Sequence, residues 1–404
     1  MFLPVIVILI LMLLTNLAWW RWAHRHLSKL RRRRIFQWVL ACFMLLQILG
    51  LTLTFLTRAR LSVLPVPAIW MAAIYLWHMI FLPPILVGLI LFVFAKAVGW
   101  IASWCRGDAR PPTAASPANG DGHPMLTRRQ VMGATLAALP PLFATSAVVR
   151  AVSQLDDFRV RRITIALAAL PKALDGMTIA QVSDVHVGKF TNGSILRRIT
   201  ETTNALRPDL VLLTGDLIDF SQRDLPAGLD VVRRFDPRAG LAMCEGNHDL
   251  FEGREAFDQQ VRAAGVPLLI DETMSTRVRG TPVQLLGLQW GPRRGGGEAV
   301  IESSMDRLNA LRDPEAFQIL LAHHPHAFDR AAREHIPLTL AGHTHGGQLM
   351  LSEITGFGPA MYRYWSGLYR QNDSALVVSN GVGNWFPLRL NAPAEIVHIT
   401  LRVG

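Results

Sequence analysis

Five short apolar runs, each closing on a cluster of Asp, His or Asn, constrain this chain more than any other feature. Met177–Val182 leads into Ser183-Asp184-Val185-His186, and Leu210–Leu213 into Thr214-Gly215-Asp216-Leu217-Ile218-Asp219. Leu241–Met243 leads into Glu245-Gly246-Asn247-His248-Asp249, and Phe317–Leu321 into Ala322-His323-His324-Pro325. Ile336–Leu340 leads into Gly342-His343-Thr344-His345-Gly346-Gly347. Runs of this length read as buried strands. Helical stretches at Ser194–Leu206, Phe257–Ala264 and Ser303–Leu311 alternate with them, which predicts an α/β sheet domain. Sites in such sheets form beyond the carboxyl ends of the strands, so the five clusters are expected to converge on one crevice. The glycines around the last cluster imply a tight turn. Its two histidines, at i and i+2 of an extended segment, are expected on one side. Any one of these residues could be a satisfied polar group at a strand end, but five in series point to a common task. Nitrogen and oxygen donors without thiolate suit Mn, Fe, Co, Ni or Zn.

The ordered set D-x-H, GD-x-x-D, GNHD, H-x-P and GHTH resembles the calcineurin-like metallophosphoesterase superfamily, from about Leu174 to the C-terminus. The resemblance implies two stacked β-sheets flanked by helices and a pair of divalent metal ions (Mn, Fe, Zn, Ni or Co). It places Asp184, His186, Asp216 and His345 on one ion, and Asp216, Asn247, His323 and His343 on the other, with Asp216 as the bridge. His248 is implied to face the phosphate and serve in proton transfer, with Asp249 orienting it as the second member of a catalytic pair. Asp219 reads as structural or as a supporting residue outside the ligands. His323 is favoured over His324 as the ligand by the H-x-P wording, and His326 and His335 read as surface residues. Gln348 is a candidate substrate contact or a turn residue. Arg389, behind Asn380-Gly381-Val382-Gly383-Asn384, is a candidate phosphate contact or a structural salt-bridge partner. The wording SDxH…GHTHGGQ, with an anchored architecture, resembles the membrane-anchored bacterial branch that includes UDP-2,3-diacylglucosamine pyrophosphohydrolase-like enzymes.

The first third of the chain has a different character. Half of all residues are hydrophobic, and the excess lies before residue 105. Phe2–Trp20, Ile35–Thr57, Val63–Leu82 and Pro83–Trp104 read as about four transmembrane helices within 1–104, with Pro83-Pro84 as a break. Residues 105–126 read as a flexible linker. Residues 127–150 carry Arg128-Arg129 ahead of an Ala-rich apolar run, which reads either as a twin-arginine-like signal retained as an anchor or as an ordinary fifth helix. The catalytic domain is then 151–404, opening with an edge strand in Gln154–Leu170, where Phe158, Val160, Ile163 and Ile165 roughly alternate with arginines.

The net charge of +11 gathers beside apolar segments, notably at Arg21–Arg34. This points to topology determinants and lipid headgroups rather than nucleic acid. Counting spans is inconsistent: if Arg21–Arg34 is cytoplasmic, four spans return the linker outside, although Arg128-Arg129 also favours the cytoplasm. The three cysteines suggest neither a disulfide framework nor a zinc site.

These features predict a multi-pass protein of the cytoplasmic (inner) membrane whose catalytic domain lies on the outer face. It is expected to hydrolyse a phosphodiester or pyrophosphate, with a lipid-borne substrate such as a UDP-diacylglucosamine-type molecule. A tethered phosphodiesterase for soluble nucleotides and a phosphoesterase-domain sensor or scaffold are the alternatives. A transporter is disfavoured because the spans lack paired charges. Oligomeric state is left open.

Overall fold

The computed structural model describes residues 2–28, 30, 32–58, 66–106, 127–291, 298–348, 350–352, 355–356, 358–360 and 362–404. The expected linker falls almost wholly outside them. The chain divides into two compact units, Met1–Val152 and Ser153–Gly404.

The first unit is helical. Helices α1 (Phe2–Leu27) and α2 (Arg33–Arg58) form as expected. The third and fourth expected spans do not separate. Helix α3 (Ala68–Tyr75) runs through a π-helical stretch, Leu76–Phe81, directly into α4 (Leu82–Arg106). The backbone N–H of Leu82 reaches the carbonyl of Trp77, one residue further back than in an α-helix. Wider π turns of this kind occur as single-turn insertions inside α-helices. Here one lies directly before Pro83-Pro84, and the prolines do not end the helix. Helix α5 (Arg128–Ser153) likewise continues through Pro140-Pro141. Its start is capped reciprocally: Gln130 N–H donates to Thr127 Oγ1 (3.2 Å), and Thr127 N–H donates to Gln130 Oε1 (2.9 Å). Among the described residues, four helical segments are therefore long and apolar enough to cross a membrane: Val7–Leu27, Arg33–Leu56, Ala68–Trp104 and Gln130–Ser153.

The second unit holds two mixed sheets. Strands β1 (Phe158–Leu167), β2 (Thr178–Val182), β3 (Leu210–Thr214) and β4 (Gly240–Cys244) belong to the first. Helices α6 (Gly193–Ala205), α7 (Leu225–Arg233) and α8 (Arg254–Ala263) alternate with or follow them. The second sheet contains β5 (Glu272–Val278), β6 (Thr281–Gly287), β7 (Phe317–Leu321) and β8 (Leu338–Ala341), with α9 (Glu298–Ala310) and α10 (Ala327–Arg333) between β6 and β8. A small hairpin, β9 (Met350–Ser352) and β10 (Thr355–Gly356), precedes β11 (Gly367–Gln371), β12 (Ser374–Val378) and β13 (Ala394–Val403).

The strand orders are β1-β13-β2-β3-β4 and β11-β12-β8-β7-β6-β5. Within them β2, β3 and β4 are mutually parallel, as are β6, β7, β8 and β12. Alternate residues explain the layering. Ile179, Leu210 and Leu212 face Leu285, Ile319 and Leu340 in the core between the sheets. Ala180, Val211 and Leu213 turn outward under Ile199, Leu229 and Phe257 of the helices. On the other side Leu286 and Leu320 pack beneath Met305, Leu308 and Ala331. Both faces of these strands are buried, which is why they read as unbroken apolar runs. Strand β1 lies at the edge of its sheet.

Candidate metal centre

The carboxyl ends of β2, β3 and β4 from one sheet, and of β7 and β8 from the other, open on one cleft. Direct bonds tie these ends together. The Asp184 N–H donates to the Gly215 carbonyl (3.0 Å) and the His186 N–H to the Asp216 carbonyl (3.0 Å). Gln181 Nε2 donates across the sheets to the Ala341 carbonyl (2.8 Å). His343 N–H lies 3.1 Å from Asp184 Oδ1.

Five of the candidate ligands have left-handed backbones: Asp184 (φ 53°), His186 (48°), Asp216 (55°), His343 (73°) and His345 (50°). For residues with a Cβ this region costs on the order of 1–3 kcal/mol each, and such strain clusters at functional sites. It also overturns the expectation that His343 and His345 share one side of an extended segment. The chain turns between them, so the two rings join different groups. Two glycines make room for the ligand carboxylates. A Cβ on Gly246 would lie 2.2 Å from Asp216 Oδ1, and one on Gly342 would lie 2.2 Å from Asp184 Oδ2.

The ligand atoms gather around Asp216. Asp184, His186 and His345 form one group able to hold an ion, and Asp216, His323 and His343 another. His345 Nε2 lies 3.0 Å from His186 Nε2 and 3.2 Å from Asp184 Oδ1. Asp216 Oδ2 lies between the groups, 3.6 Å from His186 Nε2 and 3.1 Å from His323 Nε2. Its other oxygen accepts the His248 N–H at 2.8 Å. His323 Nδ1 donates to the Thr214 carbonyl (2.7 Å), which leaves Nε2 as the lone-pair atom facing the cleft. That Nε2, the Asn247 side-chain oxygen and His186 Nδ1 are buried without a hydrogen-bond partner. Buried polar atoms are normally paired, and the first two are a nitrogen and an oxygen donor of the kind that divalent first-row ions take. The residues therefore fit a metal.

Burial works against ionised Asp184, but the His345 charge and hydrogen bonds from His186 and His345 outweigh it and hold the carboxyl well below its usual range. Burial also opposes ionised Asp216, and His323 and His248 overcome it. Burial depresses the His343 and His345 imidazoles to about 3 and about 4, favouring the neutral form that binds metals.

His248 stands beside this cluster, its ring 4.6 Å from that of His186. Its Nδ1–H donates to the Asp219 backbone carbonyl at 2.5 Å, with Asp219 Oδ1 at 3.4 Å. Burial disfavours its imidazolium, but the Asp216 carboxylate and the Asp219 contacts prevail, raising its pKa to about 9. Asp219, read from sequence as structural or as a supporting residue outside the ligands, orients His248. Asp249, expected in that role, accepts instead from the backbone N–H groups of Asp216 (3.0 Å), Ile218 (3.1 Å) and Gly246 (2.9 Å). Three backbone donors consume the Asp249 carboxylate, and it braces the loops rather than the imidazole.

The two candidate substrate contacts also take other places. Arg389 is 2% exposed and, among the described residues, forms no ion pair with a carboxylate. It donates to the carbonyls of Asn380 (2.8 Å) and Gly383 (2.6 Å), to Asn384 Oδ1 (2.6 Å), and at 3.0 Å to His345 Nδ1. It therefore rivets the Asn380–Asn384 turn against His345, and is neither a phosphate contact nor a salt bridge. Gln348 has φ 58° and bonds through its backbone to His345 and Leu390, which favours the turn reading. His324 is not aimed at the ligand groups. Its Nδ1 lies 3.2 Å from His326 Nδ1, in a cavity of about 300 Å³. His326 is half-buried there, not a surface residue.

Three aromatic residues at the site went unnoticed in the sequence. Trp290 packs against His323, His324 and His343, with ring centroids 4.9–5.6 Å away. It is anchored by its N–H to buried Glu245 Oε1 (2.8 Å), which also pairs with Arg254 at 2.8 Å. Trp385 lies 5.6 Å and Phe251 4.6 Å from the His248 ring. The only signal available was position: Trp290 follows an apolar strand as the ligands do, and Glu245 directly precedes the GNHD cluster.

Carboxylates and imidazoles gathered where parallel strands of two stacked sheets end fit a metallophosphoesterase domain. Residues 177–347 match the calcineurin-like phosphoesterase family, so this stretch of the chain is a domain of that family. A transmembrane protein with metallophosphoesterase domain from Danio rerio is 31% identical over 271 residues, covering 64% of this chain and 61% of that protein. An uncharacterized metallophosphoesterase of Campylobacter jejuni is 27% identical over 242 residues, 58% of this chain and 61% of its own. One from Bacillus subtilis is 29% identical over 250 residues, 59% of this chain and 84% of its own. The chain thus matches under two thirds of the length of the first two.

Proposed function

We propose that this protein is a membrane-bound phosphohydrolase that cleaves a phosphodiester or pyrophosphate bond with two divalent ions. The observation that carries this reading is the position of Asp216 Oδ2, which faces His186 on one side and His323 on the other. Asp184, His186, Asp216 and His345 would hold one ion, and Asp216, Asn247, His323 and His343 the second. Bound there, a divalent pair supplies charge neutralisation for the phosphate and acidifies water near neutral pH. The protein's own contribution centres on His248. With Nδ1–H committed to the Asp219 carbonyl, its Nε2 is free to give a proton to the departing oxygen. Trp290 and Trp385 wall the cleft and limit water.

The substrate we assign is amphiphilic, a lipid-linked or glycolipid phosphoester of the UDP-diacylglucosamine type. Beside His248, Phe220 is 53% exposed and Trp385 36% exposed, with Phe251 between Phe220 and the imidazole. An apolar rim on the proton-donor side suits a lipid better than a soluble nucleotide. Placement in the inner membrane with the catalytic unit on the outer face is supported by the helix count. Ala68–Trp104 is one rod of 37 residues, roughly 55 Å long, and crosses once. Three crossings then precede the linker, so Arg21–Arg34 and Arg128-Arg129 both lie in the cytoplasm, and α5 carries the chain out.

The test is hydrolysis by the purified, manganese-loaded full-length protein of nucleotide-lipids, phospholipids and cyclic nucleotides. Turnover of a lipid-linked pyrophosphate above the soluble diesters is the expected result. Absence of all turnover would remove the enzyme reading and favour a sensor. Reporter activity of a C-terminal fusion confined to the cytoplasm would reverse the topology.

A further inference from the structure

The helical unit contains a second polar site, independent of the phosphoesterase reading. Where α1 ends and α2 begins, their facing surfaces line an open cavity of about 820 Å³. Arg21 and Arg25, one helical turn apart on α1, and Arg34 on α2 line it. His24 and Gln37 join across it, Nε2 to Nε2 at 3.2 Å. Below the cations the lining turns apolar, with Leu17, Trp38 and Ala41. Arg34, Trp38 and Ala41 follow helical spacing, so one face of α2 passes from charged to apolar along its length.

Among the described residues of the unit, the cations have no carboxylate to neutralise them. No Asp or Glu occurs from Met1 to Gly107, and the unit's described residues contain no carboxylate at all. Three guanidinium groups facing one cavity repel one another unless an anion lies between them, and arginine binds phosphate in a forked, bidentate manner. A ligand with a phosphate above an apolar tail matches both ends of the cavity. Trp38, 72% exposed, is suited to the headgroup level of a bilayer.

We propose that this cavity is a binding site for an anionic membrane phospholipid, its phosphate held by Arg21, Arg25 and Arg34 and its chain lying along Leu17, Trp38 and Ala41. The full-length protein in detergent, titrated with phosphatidylglycerol and observed by native mass spectrometry, tests it. Phosphatidylglycerol is expected to be retained at least about tenfold more tightly than phosphatidylcholine. Each of Arg21→Gln, Arg25→Gln and Arg34→Gln is expected to weaken it about fivefold. Ala41→Trp, which fills the apolar end without altering charge, should also expel the lipid, whereas Lys96→Gln, a cation elsewhere in the unit, should not. Equal retention of phosphatidylcholine, or unchanged affinity in the three-glutamine variant and in Ala41→Trp, would overturn the site. Glycerol 3-phosphate or inorganic phosphate binding as tightly as the lipid would show an anion pocket and overturn the lipid assignment.

Discussion

The two halves of the metal centre are held by different means. Around Asp184, His186 and His345 the protein supplies its own braces. Ser183 Oγ bonds Asp184 Oδ2 at 2.5 Å, Asp184 receives the His343 N–H, and Arg389 buttresses His345. Around His323, His343 and Asn247 it supplies less. His323 has the Thr214 carbonyl, Asn247 Oδ1 has no partner, and the imidazoles rest mainly on the Trp290 indole. The first half draws more of its bracing from the protein, though His186 Nδ1 has no partner, whereas in the second His323 Nε2 and Asn247 Oδ1 are the buried atoms that an ion would satisfy. Preorganised ligands bind more tightly because less ordering is lost on binding. The reading that follows is one tight and one weaker site sharing Asp216.

Asp216→Asn breaks this comparison most severely, because it removes charge from both halves at once. Both ions are expected to be lost and hydrolysis of an aryl phosphodiester to fall to background, while circular dichroism shows an intact fold. Wild-type metal content and turnover in this variant would end the shared-ligand assignment. His248→Ala should do less, since its ring is assigned to neither ion and the backbone N–H that Asp216 accepts survives the substitution. We expect full metal content with a rate about 10²–10⁴ lower. The loss should be greater for an alkyl than for a nitrophenyl leaving group, because only the alkoxide needs a proton. Equal losses on both would take His248 out of proton transfer.

Glu245→Gln sharpens the contrast between the halves. It weakens the anchor of Trp290 and hence the wall behind His323 and His343. Supporting groups outside the ligand set typically tune affinity by about 10–100-fold. The expected result is a tenfold loss at the weaker manganese site with the tighter one unmoved, read by calorimetric titration. Equal weakening of both sites would mean that the halves are not separately braced.

How much of this was legible in the sequence follows from distance along the chain. The strands, the α/β alternation and the ligand clusters are local patterns, and they are where the apolar runs placed them. The turn between His343 and His345 was not, because it depends on left-handed backbones that no spacing records, although the family resemblance already assigned the two rings to different ions. Asp249 and Asp219 exchanged roles for a similar reason: which carboxylate reaches an imidazole depends on how the loops after β3 and β4 meet. Arg389 looked like a phosphate ligand because arginine near a phosphate site usually is one. Its burial beneath the Asn380–Asn384 turn is a tertiary fact. The continuous Ala68–Arg106 rod defied the break expected at Pro83-Pro84, because a π turn lies just before the prolines and the helix continues through them.

The smallest expected effect lies at the rim. Phe220 contacts the site only through Phe251, whose ring is 5.6 Å away and packs in turn on His248. Phe220→Ala should therefore leave the ligands and the proton donor in place and alter only what lies beyond the departing oxygen. If acyl chains run across this rim, the wild-type protein prefers a lipid-linked pyrophosphate to its deacylated headgroup. Phe220→Ala should then narrow that preference several-fold, since one apolar contact in a hydrophobic pocket is worth about tenfold at most sites of this size. Tethering alone raises the effective concentration of any membrane-resident substrate without a new contact. It would give the same preference in wild type and variant. The two explanations thus separate on the variant. A preference that survives Phe220→Ala unchanged assigns it to the anchor, and a preference absent from wild type rules out recognition of the chains.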